Sequence, residues 1–293
     1  MTAPDLTSAA APAGSRADDG YFGPDSISWR LFADPSSKLG GVAAVLMQSL
    51  NPNMMRLFDK VSHYESDPQG RSERTARYID TTIFGDKAHA DAAGASIQRM
   101  HAHAKWTDPQ TGETLSADNQ PWLIWTHHTV VWGVLRAADA FGPELSVAEQ
   151  DEFVREQHIA ARLAGITTED LPATRAELDA YIDEQREWMA LTLPAAALTR
   201  EFRKPVLRGN PLKVWTGIVI GDGILSLLPD WGLLLFGIAG RPMNLKAAAR
   251  TTRRMIAVAR RTRSYEDMIT DMTTRVDTHP YRKLRGEGKG RPA

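Results

Sequence analysis

The chain contains no cysteine. Disulfides, thiolate metal sites, iron–sulfur clusters and cysteine nucleophiles are thereby excluded, which leaves His, Asp, Glu and Met as the side chains able to ligate a metal. Alternating runs of β-branched residues are scarce as well, while stretches rich in Ala, Leu, Arg, Glu and Gln dominate. That balance specifies helices, and the chain reads as all-α. Charge of one sign is also lacking. The formal net charge is −1 over 293 residues, so no affinity for nucleic acid or another polyanion follows from it. Nor is there an uninterrupted apolar run of the roughly 20 residues that a bilayer-spanning helix needs. The most apolar stretch, Val214 to Gly240, is broken by Asp222, Pro229 and Asp230. It reads as two buried or interfacial helices joined at Leu228-Pro229-Asp230, with no transmembrane segment.

The first twenty residues, MTAPDLTSAAAPAGSRADDG, have neither a basic start nor an apolar segment of signal-peptide length. They are expected to be a disordered leader in a cytoplasmic protein. One helical domain is expected over residues 21–275, since no fixed-period repeat and no charge block marks a linker. A flexible basic tail, residues 276–293, follows. Within the domain, a short helix should end at Asp34-Pro35, and an apolar helix should run from about Leu39 to the stop at Asn51-Pro52. RSERTARYIDTTIFGD and KAHADAAGASIQRMHAHAKW read as helices, and TDPQTGETLSADNQP as a turn-rich connection. WLIWTHHTVVWGVLRAADAFG is apolar on nearly every side and belongs in the middle of the core. Ser146 with Glu149, and Thr174 with Glu177, have capping-box spacing and mark two further helix starts.

Four of the eight histidines fall in two close pairs, His101 with His103 and His127 with His128. His101 and His103, two apart, point to different helical faces, so at most one faces the core. They lack the four-residue spacing of a helical zinc pair. The apolar side of their helix runs through Ala93, Ile97, Met100 and Ala104, with His101 one turn beyond Ile97. One inward imidazole in an apolar pocket suits a haem iron; it equally suits a buried structural histidine. His127 and His128 are adjacent, so one can face the core while the other turns aside. No Glu-x-x-His motif, phosphate loop or nucleophile elbow is present. Arg71 and Thr75 lie one turn apart on one helical face, a pairing suited to an anionic or oxygen-rich ligand or, more plainly, to a solvated Arg beside a packed Thr. Glu152 and Glu156 form a similar pair, expected on a solvated face. RTTRRMIAVARRTRS, Arg250 to Ser264, reads as a basic amphipathic helix, either an ordinary surface helix or one in peripheral contact with a membrane.

Taken in order and spacing, several segments resemble the family of the rubber oxygenase (latex clearing protein) and mpaB oxygenase catalytic domain. They are GPDSISWRLFADPSSKLGG, RSERTARYIDTTIFGD, IQRMHAHAKWTDPQTGETLSADNQPWLIWTHHTVV, FGPELSVAEQDEFVREQHIAARLAGI with LPATRAELDAY, and LLPDWGLLLFG. The resemblance implies a helical fold with a globin-like core and a b-type haem held by one histidine. His101 matches that iron ligand, and Arg71 and Thr75 match an Arg-x-x-x-Thr element on the distal side, where they would act on dioxygen or substrate. His103 and His127 stand where the family tends to carry histidine, in a supporting role at the haem pocket. Arg74 stands where rubber enzymes offer a lysine to iron, and a guanidinium cannot ligate. Asn51 replaces a histidine that many relatives carry before proline. The implied activity is a haem-dependent oxygenation of an apolar, isoprenoid or otherwise unsaturated small molecule, by cleavage of a carbon–carbon double bond. The alternative is a non-catalytic helical protein that binds lipid, or that uses haem to sense a gas.

Overall fold

A computed structural model describes residues 17–62, 68–205, 207–238, 242–262, 264, 267–270 and 272. Most of the expected leader and all of the expected tail, in residues 1–16 and 273–293, lie outside the described residues. The fold is all-α apart from one small hairpin.

The helices begin where side chains can satisfy free backbone N–H groups. α1 (Ile27–Ala33) is capped by Ser26, and α2 (Ser36–Ser49) follows the turn at Asp34-Pro35. α3 (Pro52–Val61) has Asn51 as its cap, whose side chain accepts from Met54 N–H at 3.0 Å, with Pro52 at the first helical position. α4 (Pro68–Phe84) leads into α5 (Lys87–His103), which Asp86 caps. α6 (Gln120–Phe141) starts at Asn119 and Pro121. α7 (Val147–Leu163) and α8 (Arg175–Glu184) both carry the complete capping boxes that their sequences specify. A 3-10 turn (Gln185–Trp188) and two short helices, α9 (Leu193–Leu198) and α10 (Arg200–Arg203), precede α11 (Pro211–Leu225), α12 (Asp230–Leu235) and α13 (Pro242–Thr262).

α6 runs through the core, as its all-round apolarity requires: Trp125, Val131, Trp132, Val134, Leu135 and Phe141 are buried. α2 packs along it at close range. A Cβ on Gly133 would stand 2.4 Å from the carbonyl oxygen of Gly40, and one on Gly40 would stand 2.3 Å from that of Gly133. Only two glycines allow the backbones to meet there.

Two charged residues tie distant elements together. Glu156 was expected on a solvated face with Glu152; instead its carboxylate accepts from Ile27 N–H (3.0 Å), Ser28 N–H (2.7 Å) and Ser28 Oγ (2.6 Å), which caps α1 from α7. Glu152 keeps the expected exposed pairing, with Arg155. Arg260, on the basic helix α13, binds Asp34 at 2.5 and 3.1 Å and also donates to the Phe141 carbonyl at the end of α6. The other arginines Arg250, Arg253, Arg254 and Arg261 of that helix are exposed.

The connection after α5 is where sequence and structure differ. It holds two antiparallel strands, β1 (Lys105–Thr107) and β2 (Thr114–Ser116), with Trp106 opposite Leu115. Asp108 holds the turn, accepting from Gln110 N–H at 2.8 Å and from Arg56 of α3 at 2.5 Å.

Candidate functional site

α5 packs through its first half, where Ala90, Ala93 and Gly94 are buried. Past Ile97 the helix leaves the core, so Met100 is 53 % exposed instead of lying on the apolar side that the sequence pattern gave it. His101 is half-buried and His103 exposed, the division expected for two residues on different faces. The hairpin fixes this end of the helix: Ala117 N–H donates to the Ala104 carbonyl at 3.0 Å, and Arg56 fastens the hairpin to α3 through Asp108 and Glu113.

His101 has an unusual environment. Its Nδ1 is enclosed and finds no hydrogen-bond partner. A buried polar atom without a partner is costly and marks either strain or a task not met by the protein alone. Burial lowers the imidazole pKa; the nearby charge of Arg71 lowers it further, and Asp118 opposes them. The ring is therefore neutral at neutral pH, with a lone pair free to bind a cation or accept a proton. His103, in contrast, donates from Nδ1 to the Arg99 carbonyl at 2.6 Å and is a satisfied surface residue.

Arg71 is brought to His101 from α4. Its guanidinium lies over the ring of Phe58, 4.3 Å from the centroid, a cation–π contact that holds a flexible side chain in place. Surrounding protein, and then Arg74, lower its pKa, but an arginine remains protonated. Much of Arg71 stays open to solvent all the same. Thr75 is exposed, and its hydroxyl donates to the Arg71 carbonyl at 3.2 Å. With its proton so committed, Thr75 can accept a hydrogen bond while Arg71 supplies the donors.

His127 stands in a different group. It and His128 lie 5.5 Å apart between ring centroids on α6, and His128 packs edge-on against Tyr181 of α8 at 4.5 Å. Burial lowers His127 to about 3 and His128 to about 4, with the charge of His158 on α7 contributing to both. His128, 4 % exposed, is the member that turns to the core. Its Nδ1 and the Nε1 of Trp125 are enclosed without partners. Burial also raises Tyr181 to about 12. This is a polar cluster of α6, α7 and α8, whereas Arg71 and His101, on α4 and α5, lie close enough for the charge of the arginine to act on the imidazole.

Phe58, His158 and Tyr181 carry no local signal in the sequence that links them to these histidines. Each arrives from another element. Only Asp118 had a hint, as an acid just ahead of a helix cap and close to His101 in the chain.

No curated protein and no solved structure matches the chain. The family described as ER-bound oxygenase mpaB/B'/Rubber oxygenase, catalytic domain, matches residues 29–261, a span that includes Arg71, Thr75, His101 and His127. That match covers well over half of the sequence and agrees with the all-α fold: the chain belongs to the mpaB/rubber oxygenase catalytic-domain family and is an oxygenase-type domain.

Proposed function

We propose that the protein is a haem b-dependent oxygenase in which His101 holds the iron, with an apolar, isoprenoid or otherwise unsaturated small molecule and dioxygen as substrates. The observation that carries this reading is the His101 imidazole: neutral, with an enclosed and unpartnered Nδ1, beside the positive charge of Arg71. The donor set fits a porphyrin. Among the described residues no three His, Asp or Glu side chains stand together to hold a bare metal ion, whereas haem brings four nitrogens of its own and asks the protein for one imidazole. When bound, haem supplies the iron at which dioxygen chemistry occurs.

The chain's own residues would bind and orient. Arg71 directs N–H donors and a fixed positive charge at oxygen atoms that gain electron density, the role in which a preorganised donor contributes most. Thr75 accepts a hydrogen bond on the same helical face. Phe58 holds the guanidinium over its ring. His127, which the resemblance would put beside the haem, stands instead with His128 and His158 on α6 and α7. Cleavage of one carbon–carbon double bond by one dioxygen gives two carbonyl groups, so no external reductant enters the balance.

The test is oxygen uptake with product analysis on candidate alkenes, using haem-loaded protein. Carbonyl products formed with stoichiometric oxygen uptake support the reading. Stable haem binding with no product from any unsaturated substrate would leave a haem-based gas sensor, and uptake of an apolar ligand without haem would leave a lipid-binding protein.

A further inference from the structure

A helix that is apolar all round is ordinarily buried, yet α11 is not. Only Gly223, Ile224 and Leu225, at its end, are buried. At its start Leu212 is 70 % and Trp215 52 % exposed, and Leu207, just before it, is 74 % exposed. Isolated exposed apolar residues need no account, but three large ones within nine residues of chain do. Arg200, Lys204, Arg208 and Lys213 lie in the same stretch of chain, all exposed and free of ion pairs among the described residues. Glu201 is the single carboxylate in that stretch. Arg203 is engaged elsewhere, donating to the Phe236 carbonyl at 3.0 Å. Between α10 and α11 runs a groove of 540 Å³ whose walls include Phe202, Leu212, Ile220 and Ile224, with Lys213 among its lining residues.

We propose that this stretch docks on the surface of an anionic lipid bilayer. Leu207, Leu212 and Trp215 enter the boundary between headgroups and chains, the four cations pair with lipid phosphates, and the groove receives one acyl chain. Charge complementarity selects this occupant. A second copy docked through the same patch would set four cations against four cations, while an anionic surface neutralises them. Tryptophan and leucine beside basic residues are the side chains that such a boundary favours. The contact is one-sided, since no helix among the described residues is long and apolar enough to cross a membrane. The inference is independent of haem at His101.

Vesicle co-sedimentation of the full chain tests it, with phosphatidylglycerol–phosphatidylcholine vesicles compared with pure phosphatidylcholine at low and high salt. The wild type should bind the anionic vesicles at least tenfold more tightly and lose most of that preference in high salt. Replacing Lys204, Arg208 and Lys213 together by Ala should weaken binding roughly a hundredfold, about fivefold for each cation. Leu207→Ser with Leu212→Ser should weaken it at least tenfold with no change in melting temperature, because both side chains are exposed. Removing Lys87, Arg155 and Arg186 instead, three cations on other elements, should change binding less than twofold. No binding by the wild type, equal binding to both vesicle types, or equal loss in the control variant overturns the proposal. So does a dimer in solution that the Leu207→Ser, Leu212→Ser protein no longer forms, for the patch then joins two copies.

Discussion

An enclosed imidazole has to stay neutral, and at the scale of single residues this gives the protein a stability that depends on pH. His127 and His128 are lowered to about 3 and about 4 from an ordinary value of 6.5. Between those limits the unfolded chain binds protons that the folded chain does not, so stability is full above about pH 6.5 and falls as the pH drops toward 4. At 1.36 kcal/mol per pKa unit, the pair should cost about 2–4 kcal/mol between pH 7 and pH 5. Carboxylates such as Glu149, held at about 2 by the Ser146 cap and Arg30, titrate below that window. Urea unfolding at the two pH values measures the fall, and His128→Leu should remove about half of it. An equal loss in the variant would mean that His128 is not the titrating group. Arg71 and Thr75 separate differently. Arg71→Ala should keep the fold and any bound haem but lose turnover by the equivalent of roughly 3 kcal/mol, and Thr75→Ala, whose hydroxyl donates to its own helix, should lose less. Full activity in Arg71→Ala would reduce that arginine to a surface residue resting on Phe58.

At the scale of elements, the interactions that govern stability are those in which one helix completes another. Glu156→Ala removes three acceptor contacts from the start of α1 and should cost about 2 kcal/mol. Glu152→Ala, one turn away, loses only a solvent-exposed pair with Arg155 and should cost less than about 0.5 kcal/mol. Thermal melts of the two variants side by side check the contrast. Gly133→Ala would drive a methyl group into the Gly40 carbonyl and should cost about 3 kcal/mol, the upper range for overpacking, because backbone cannot yield as a side chain does. These elements also show what a sequence can disclose. Both capping boxes, the helix stop at Asn51-Pro52 and the buried course of α6 were legible, because each is written in residues within one or two turns of each other. The cap from Glu156 was not, since its partners lie more than a hundred residues away. The hairpin of β1 and β2 was missed because three-residue strands leave almost no periodicity, and its stability rests on Arg56 reaching across from α3. Met100 was misplaced for a related reason: helical periodicity gives a face, but not the point along the helix where the neighbouring helix ends.

For the molecule as a whole, family membership gives the oxygenase-type domain, and the fold brings Arg71 of α4 within electrostatic reach of His101 of α5. Arg71 and His101 are thirty residues apart and come into electrostatic range because α4 and α5 pack together; Arg56 and Phe58 on α3 hold the hairpin on one side and the guanidinium on the other. His127, expected from the resemblance at the same pocket, lies with His128, His158 and Tyr181, a grouping that no spacing in the chain could disclose. The C-terminal helix closes the assembly through Arg260, and Arg260→Ala, which strips the half-enclosed partner from Asp34, should cost about 3 kcal/mol in an unfolding titration. The central claim is that one imidazole, His101, holds haem. Its most direct measure is a haemin titration followed by the Soret band on the wild type, His101→Ala and His127→Ala, each checked for helical content. Saturation at one haem per chain in the wild type and in His127→Ala, with no Soret shift in a folded His101→Ala, is the predicted result. Unchanged haem binding in His101→Ala, or its loss only in His127→Ala, would contradict the account.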